Sequence, residues 1–262
     1  GSYSLTSKEL KLRSPLKKII IKFFEIFGYE LKRINNFNDR YGNFIVELDQ
    51  KKRDFIKYFQ KICLASELNL WSINQSIEYI YNEKIEGDIV ECGVYNGNTL
   101  SFIGKICEDL NLNKRIWGYD TFDGFIENSL TTKDKNFKTG KEQKIIKSDV
   151  YYTLEEVEKN IIKNDNINFE KYNLIKGDII NIRDLEKNLP KKISFLRMDT
   201  DIYKTTKKQL EILYPRLVKG GVLHIDDYGL CPGVKKAVDE FFQNEKIWLH
   251  RVDVTCRYLI KR

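Results

Sequence analysis

Apolar residues along the chain gather in short runs that end in acids, and their spacing predicts alternating strands and helices. Ile193-Ser194-Phe195-Leu196-Arg197-Met198 leads into Asp199-Thr200-Asp201, and Gly220-Gly221-Val222-Leu223-His224-Ile225 leads into Asp226-Asp227. The segment Tyr203 to Val218 between them reads as a helix. Strand, helix and strand at this separation make one βαβ unit, so the two strands are expected to be parallel and to end on the same sheet edge. Upstream the pattern recurs. A strand closes at Cys92, a helix spans about Thr99 to Leu110, a strand from Lys114 to Tyr119 meets Asp120, and Tyr172 to Lys176 runs into Gly177-Asp178. The expected fold class is α/β: a Rossmann-like, mostly parallel sheet flanked by helices, with helices from about Lys51 to Asn82 covering it.

Ligands of open α/β sheets bind at the carboxyl edge. Acids gathered there repel one another unless something positive lies among them, and a hard divalent cation, Mg²⁺ or Mn²⁺, takes oxygen ligands. An aspartate at a strand end more often turns the chain or caps a helix. An Asp-Asp pair facing an Asp-x-Asp at βαβ spacing is harder to explain that way.

Gly93-Val94-Tyr95-Asn96-Gly97-Asn98-Thr99 forms a glycine-punctuated turn before a helix whose first N–H groups are free. Its spacing matches neither G-x-G-x-x-G nor a phosphate loop. Glu91, two residues before the first glycine, would repel a pyrophosphate and attract a cationic, methionine-like group. Asp120, followed by Thr121, is placed for a ribose diol, and Gly177-Asp178 for an adenine amino group. Together these describe a nucleoside site.

Four stretches resemble the macrocin O-methyltransferase family (the TylF/MycF type): Gly87 to Thr99, Tyr119 to Phe125, Leu196 to Tyr203 and Gly220 to Tyr228. Gly233 to Phe242 and Val252 to Arg257 also fit, so the likeness covers roughly residues 60 to 262. The resemblance implies a class I methyltransferase fold with a seven-stranded sheet ending in an antiparallel hairpin near Lys246 to Arg262. It implies S-adenosylmethionine as cofactor and Mg²⁺-dependent transfer to a hydroxyl, typically on a sugar. The metal-ligand acids fall on Asp199, Asp226 and Asp227, and the cofactor acids on Glu91 and Asp120. Asp199 is the first candidate for ligand and base together, with Asp201 the alternative base. The family's aromatic-Arg-Gly-Gly turn is replaced here by Tyr95-Asn96-Gly97-Asn98, and Thr200 and Cys256 stand where it often has glycine.

Composition narrows the setting. A chain of 262 residues with 42% hydrophobic content suits one catalytic domain, expected over 51–262. Five cysteines without C-x-x-C pairing suit a reducing cytoplasm, and no secretory signal or membrane span is read. Residues 1–60 hold 13 Lys+Arg against 7 Asp+Glu, most of the net charge of +7, and they include the basic arm, residues 1–50. There Pro15 to Gly28 reads as a short helix suited to docking on protein, its own domain or a second copy; weak contact with a membrane surface is the competing use. Residues 126–170 form a polar, lysine-rich insert placed to act as a lid over an anionic small-molecule acceptor. No zinc spacing or aromatic-interleaved basic stripe supports nucleic acid. Expected is metal-dependent O-methylation of a small-molecule hydroxyl: a sugar, or a nucleotide-linked or phosphorylated cell-surface glycan precursor. The alternatives are transfer to an oxygen of a phosphorylated non-sugar group, or a non-catalytic cofactor-binding subunit.

Overall fold

A computed structural model describes residues 47–126, 129–135, 151–165, 169–184 and 188–262, together with Lys22, Phe23 and Ile26. Those three N-terminal residues are helical; most of the expected helix Pro15 to Gly28 lies outside the described residues. The chain divides into two units, 1–46 and 47–262, and the second carries the sheet.

Seven strands form that sheet: β1 Asp88–Cys92, β2 Ile116–Asp120, β3 Tyr172–Lys176, β4 Ile193–Met198, β5 Leu217–Ile225, β6 His250–Arg251 and β7 Arg257–Ile260. Their order is β3-β2-β1-β4-β5-β7-β6. The first five pair in parallel, and β7 runs antiparallel to both β5 and β6, giving the expected terminal hairpin. All six residues of β4 are buried, as a central parallel strand covered on both faces requires.

Six α-helices are described: α1 Gln50–Gln60, α2 Glu67–Asn82, α3 Asn98–Asp109, α4 Leu154–Asp165, α5 Tyr203–Leu213 and α6 Pro232–Phe241. Ser66 starts α2 by accepting the Asn69 N–H at 3.0 Å. The helix after β4 is shorter than expected. It ends at Leu213 because Pro215, which has no N–H, sits in a 3₁₀ turn, Tyr214–Arg216, and β5 already begins at Leu217. One sheet face packs Val90, Leu196, Leu223 and Leu259 with Leu210 and Val238 of α5 and α6.

Side chains alternate along a strand, so the opposite face carries Glu91, Arg197 and His224. These three are register partners on adjacent strands, Glu91 opposite Arg197 and Arg197 opposite His224. Helix α2 lies on this face: Ser72 Oγ sits 3.0 Å from His224 Nε2, and Asn69 Nδ2 donates to Asp226 Oδ1 at 2.5 Å.

The insert between β2 and β3 is not uniformly polar. Val157 and Ile161 of α4 are fully buried and pack where a Cβ at Gly97 would stand, 2.9 and 3.1 Å away. Asn160 Nδ2 donates to Asn96 O at 3.1 Å and Asn164 Nδ2 to Asn98 Oδ1 at 2.6 Å. At the insert's other end, buried Asp134 accepts the Tyr203 N–H at 2.7 Å. That bond caps α5, whose own N-cap residue, Ile202, has no side-chain oxygen to do so. Lys133 lies over the Tyr203 ring and bonds Glu240 at 3.2 Å. Lys138, Lys141, Lys144 and Lys147 lie outside the described residues.

Candidate active site

The loops at the carboxyl ends of β1, β2, β3, β4 and β5 surround a cavity of about 430 Å³, within the range of small-molecule sites. Gly93 makes the first wall. Its φ is +87°, and a Cβ there would fall 1.7 Å from the carbonyl oxygen of Asp199. Only glycine lets the ends of β1 and β4 approach this closely. Tyr95 and Asp201 hold positive φ, +52° and +62°. Non-glycine residues hold this conformation at a cost of order 1–3 kcal/mol, which surrounding structure must sustain, and such positions cluster at functional sites.

Of the residues expected to meet the donor, Gly93, Val94, Tyr95, Thr99, Asp120, Thr121, Gly177 and Asp178 line the cavity. Three expected there do not. Gly97 faces α4, and its glycine character serves helix packing. Asn98 Nδ2 donates to Ile62 O at 2.7 Å, inside the protein. Glu91 is fully buried and bonded to Arg197, which itself lines the cavity, and Glu91 does not reach the lining. Asp120 lines the cavity, but its Oδ2 accepts the N–H groups of Val94 and Tyr95 at 2.7 and 3.0 Å, and Oδ1 that of Phe122 at 2.9 Å. It organises the glycine turn, and a ribose would share an acceptor already in use. Asp178 Oδ1 accepts from Ile180 N–H at 2.9 Å.

The acids at the ends of β4 and β5 do converge. One oxygen from each of Asp199, Asp226 and Asp227 lies within 4.8 Å of the others. Asp201 also lines the cavity. A positive charge already stands beside them, and it is a side chain. Arg197, 1% exposed, donates from Nη1 to Glu91 Oε1 at 2.7 Å and to Asp199 Oδ2 at 2.6 Å, and its Nη2 lies 3.3 Å from Asp226 Oδ2. The sequence reading passed over it as one member of an apolar run. An arginine inside a strand, two residues before a strand-end acid and on the same side, is the signal that was available.

One cation does not neutralise this many acids. Burial, then Asp201, Asp199 and Asp226, push the Asp227 carboxyl up to about 11. Burial and Asp199 push Asp226 up to about 7, against Arg197 and Asn69. Burial also raises Glu91, to about 8, against the pull of Arg197. We read that pair as ionised, because a guanidinium does not give up its proton and its Nη1 stands 2.7 Å from Glu91 Oε1, while burial sets the upward direction for Glu91. Burial acts to lower Arg197, but Asp199, Asp226 and Glu91 together hold it well above its ordinary value.

The donor set suits a hard divalent ion: carboxylate oxygens only, with Asp227 Oδ2 buried and lacking a hydrogen-bond partner. His224 is no candidate base. Burial lowers its pKa to about 3, and it lies among Ser72, Phe195 and Cys256.

A pH dependence follows. Near pH 6 the ion-free cluster retains protons on Asp226 and Asp227, which an entering cation must expel. Apparent Mn²⁺ affinity is therefore expected to rise by at least about tenfold from pH 6 to pH 8, with measurable proton release. Calorimetry in buffers of different ionisation heat reads both quantities, and a flat profile contradicts the assignment.

Among known proteins, the Macrocin-O-methyltransferase (TylF) family matches residues 59–261. The chain belongs to this family. It is an S-adenosylmethionine-dependent O-methyltransferase of the class I, Rossmann-like fold. A demethyldecarbamoylnovobiocin O-methyltransferase of Streptomyces niveus is 27% identical over 214 residues, 79% of this chain and 76% of that protein. A mycinamicin III 3''-O-methyltransferase of Micromonospora griseorubida is 26% identical over 204 residues, 76% of each chain. The solved O-methyltransferase NovP superposes with a TM-score of 0.67 at 26% identity, over 75% of this chain and 80% of its own. No described helix of this macrocin O-methyltransferase relative is long and apolar enough to cross a membrane.

Proposed function

We propose that this family member methylates a hydroxyl of a sugar, free or nucleotide-linked, using a divalent cation held by Asp199, Asp226 and Asp227. The observation carrying this reading is the convergence of those carboxylates at the floor of the donor cavity, with a buried oxygen of Asp227 unpartnered. The sugar class follows from the family's typical acceptor. Of the insert lysines offered as partners for a phosphate, Lys133 is committed to Glu240 and Tyr203, whereas Lys135 is exposed.

The donor carries an activated sulfonium methyl, so catalysis consists of aligning two reactants and exposing an oxygen lone pair. A hard cation held by the three aspartates would supply Lewis acidity, lowering the pKa of an acceptor hydroxyl. The glycine turn, shaped by Gly93 and fastened by Asp120, positions the donor. Asp199, at the end of β4 and with its backbone against Gly93, takes the hydroxyl proton, with Asp201 as the alternative base. Tyr95, Tyr151 and Tyr152 line the cavity.

The test combines calorimetry with a mass-spectrometric assay over a panel of free and nucleotide-linked sugars. Methylation of a panel member that EDTA stops and Mg²⁺ or Mn²⁺ restores is the expected result. Methylation untouched by EDTA removes the cation. Donor binding with no cation binding and no turnover points instead to a non-catalytic subunit.

A further inference from the structure

Asp226 presents a carboxylate with both oxygens engaged. Oδ1 accepts from Asn69 Nδ2 at 2.5 Å, and Oδ2 faces Arg197 Nη2 at 3.3 Å. Asp199 has one oxygen engaged, Oδ2, which accepts from Arg197 Nη1 at 2.6 Å. The clamp itself is rigid. Arg197 is buried, its Nη1 is also bonded to Glu91, and a guanidinium is planar, with donors in a fixed fork. Asn69 is buried on the first turn of α2. Neither aspartate can turn freely to offer both oxygens to one ion. Asp227 differs, since its Oδ2 has no partner.

Divalent cations differ in what they ask of a carboxylate. Mg²⁺ demands octahedral geometry at about 2.0–2.1 Å and takes single oxygens, while Ca²⁺ takes about 6–8 ligands at about 2.3–2.6 Å and readily draws both oxygens of one carboxylate. We propose that Arg197 and Asn69 are positioning residues for ion selectivity: by engaging Asp226 at both oxygens and Asp199 at one, they keep either carboxylate from turning both oxygens to one ion and so favour a small octahedral cation over calcium. This rests on the reading that Asp199, Asp226 and Asp227 hold a divalent ion.

A competing role for Arg197 is plain charge compensation. That would change the affinities for Mg²⁺ and Ca²⁺ together and leave their ratio alone, so the ratio is the diagnostic quantity. Asn69 carries no charge and tests the clamp directly.

The experiment measures Kd for Mg²⁺ and for Ca²⁺ on the full chain, by competition against Mn²⁺ followed by electron paramagnetic resonance. It compares the wild type, Asn69→Ala and the paired variant Glu91→Gln with Arg197→Gln, which removes both members of the buried ion pair. Folding is checked by circular dichroism and a cooperative melt. The ratio Kd(Ca²⁺)/Kd(Mg²⁺) is expected to fall at least fivefold in the paired variant and at least threefold in Asn69→Ala. Ratios within twofold of wild type in the folded variants overturn the clamp. If the paired variant does not fold, Asn69→Ala decides alone. Wild-type protein that binds neither ion overturns the cation reading itself; binding of both with an unchanged ratio overturns only the selectivity.

Discussion

Asp199→Asn is expected to cut turnover by at least about a thousandfold while S-adenosylmethionine affinity stays within a few-fold. The substitution keeps the shape of the side chain and removes the charge that would hold a cation and receive a proton. General-base loss alone is worth about 10²–10⁴ in rate. The donor pocket should survive, because Gly93 packs against the Asp199 backbone and not its side chain. Arg197 would retain Glu91 and Asp226 as partners. Steady-state methylation with a responsive acceptor, beside calorimetry with the donor, checks both halves. Turnover within tenfold of wild type would remove Asp199 from its assigned role.

Arg197→Met should destabilise the protein by about 3–5 kcal/mol, the usual consequence of leaving one partner of a buried ion pair uncompensated. For a domain of this size that lowers the melting temperature by about 6–20 °C. The sign of its pH dependence is fixed. In the unfolded chain Glu91 titrates near its ordinary value, whereas burial raises it in the folded protein. Without the guanidinium, the penalty for an ionised Glu91 is absent below the unfolded pKa and grows as pH rises toward the folded one. The deficit should therefore be smaller at pH 5 than at pH 8. Adding Glu91→Gln to Arg197→Met should recover more than half of it. A melt within 2 °C of wild type at both pH values would mean that the pair is not compensating charge.

The β4, α5, β5 unit was legible because its strands are apolar runs that stop at acids, a pattern carried by residues adjacent in sequence. The gathering of acids at one edge followed from the parallel βαβ reading, and the choice of Asp199, Asp226 and Asp227 among them came from the family resemblance. Arg197 was not legible in the same way, because its partners Glu91 and Asp226 come from other strands. The local sign, an arginine two residues before Asp199 on the same side of β4, shows one partner and not the network. Asn69 is still less visible, since it reaches Asp226 only through the packing of α2 on the sheet. Glu91 was assigned to the donor from its place beside the glycine turn. Its carboxylate is instead buried against Arg197, whose guanidinium stands between it and Asp199. Gly97 carried the right turn geometry for a different reason, the close passage of α4, a helix hidden in a stretch read as polar.

The anchoring of the insert has a mechanical corollary. Asp134 and Lys133 pin its root to α5 and Glu240, and α4 pins its return to the glycine turn. Strain at either post is thus felt at a different wall of the cavity: through Asp134 at the start of the helix that follows the β4 acids, and through Asn160 and Asn164 at the loop that cradles the donor.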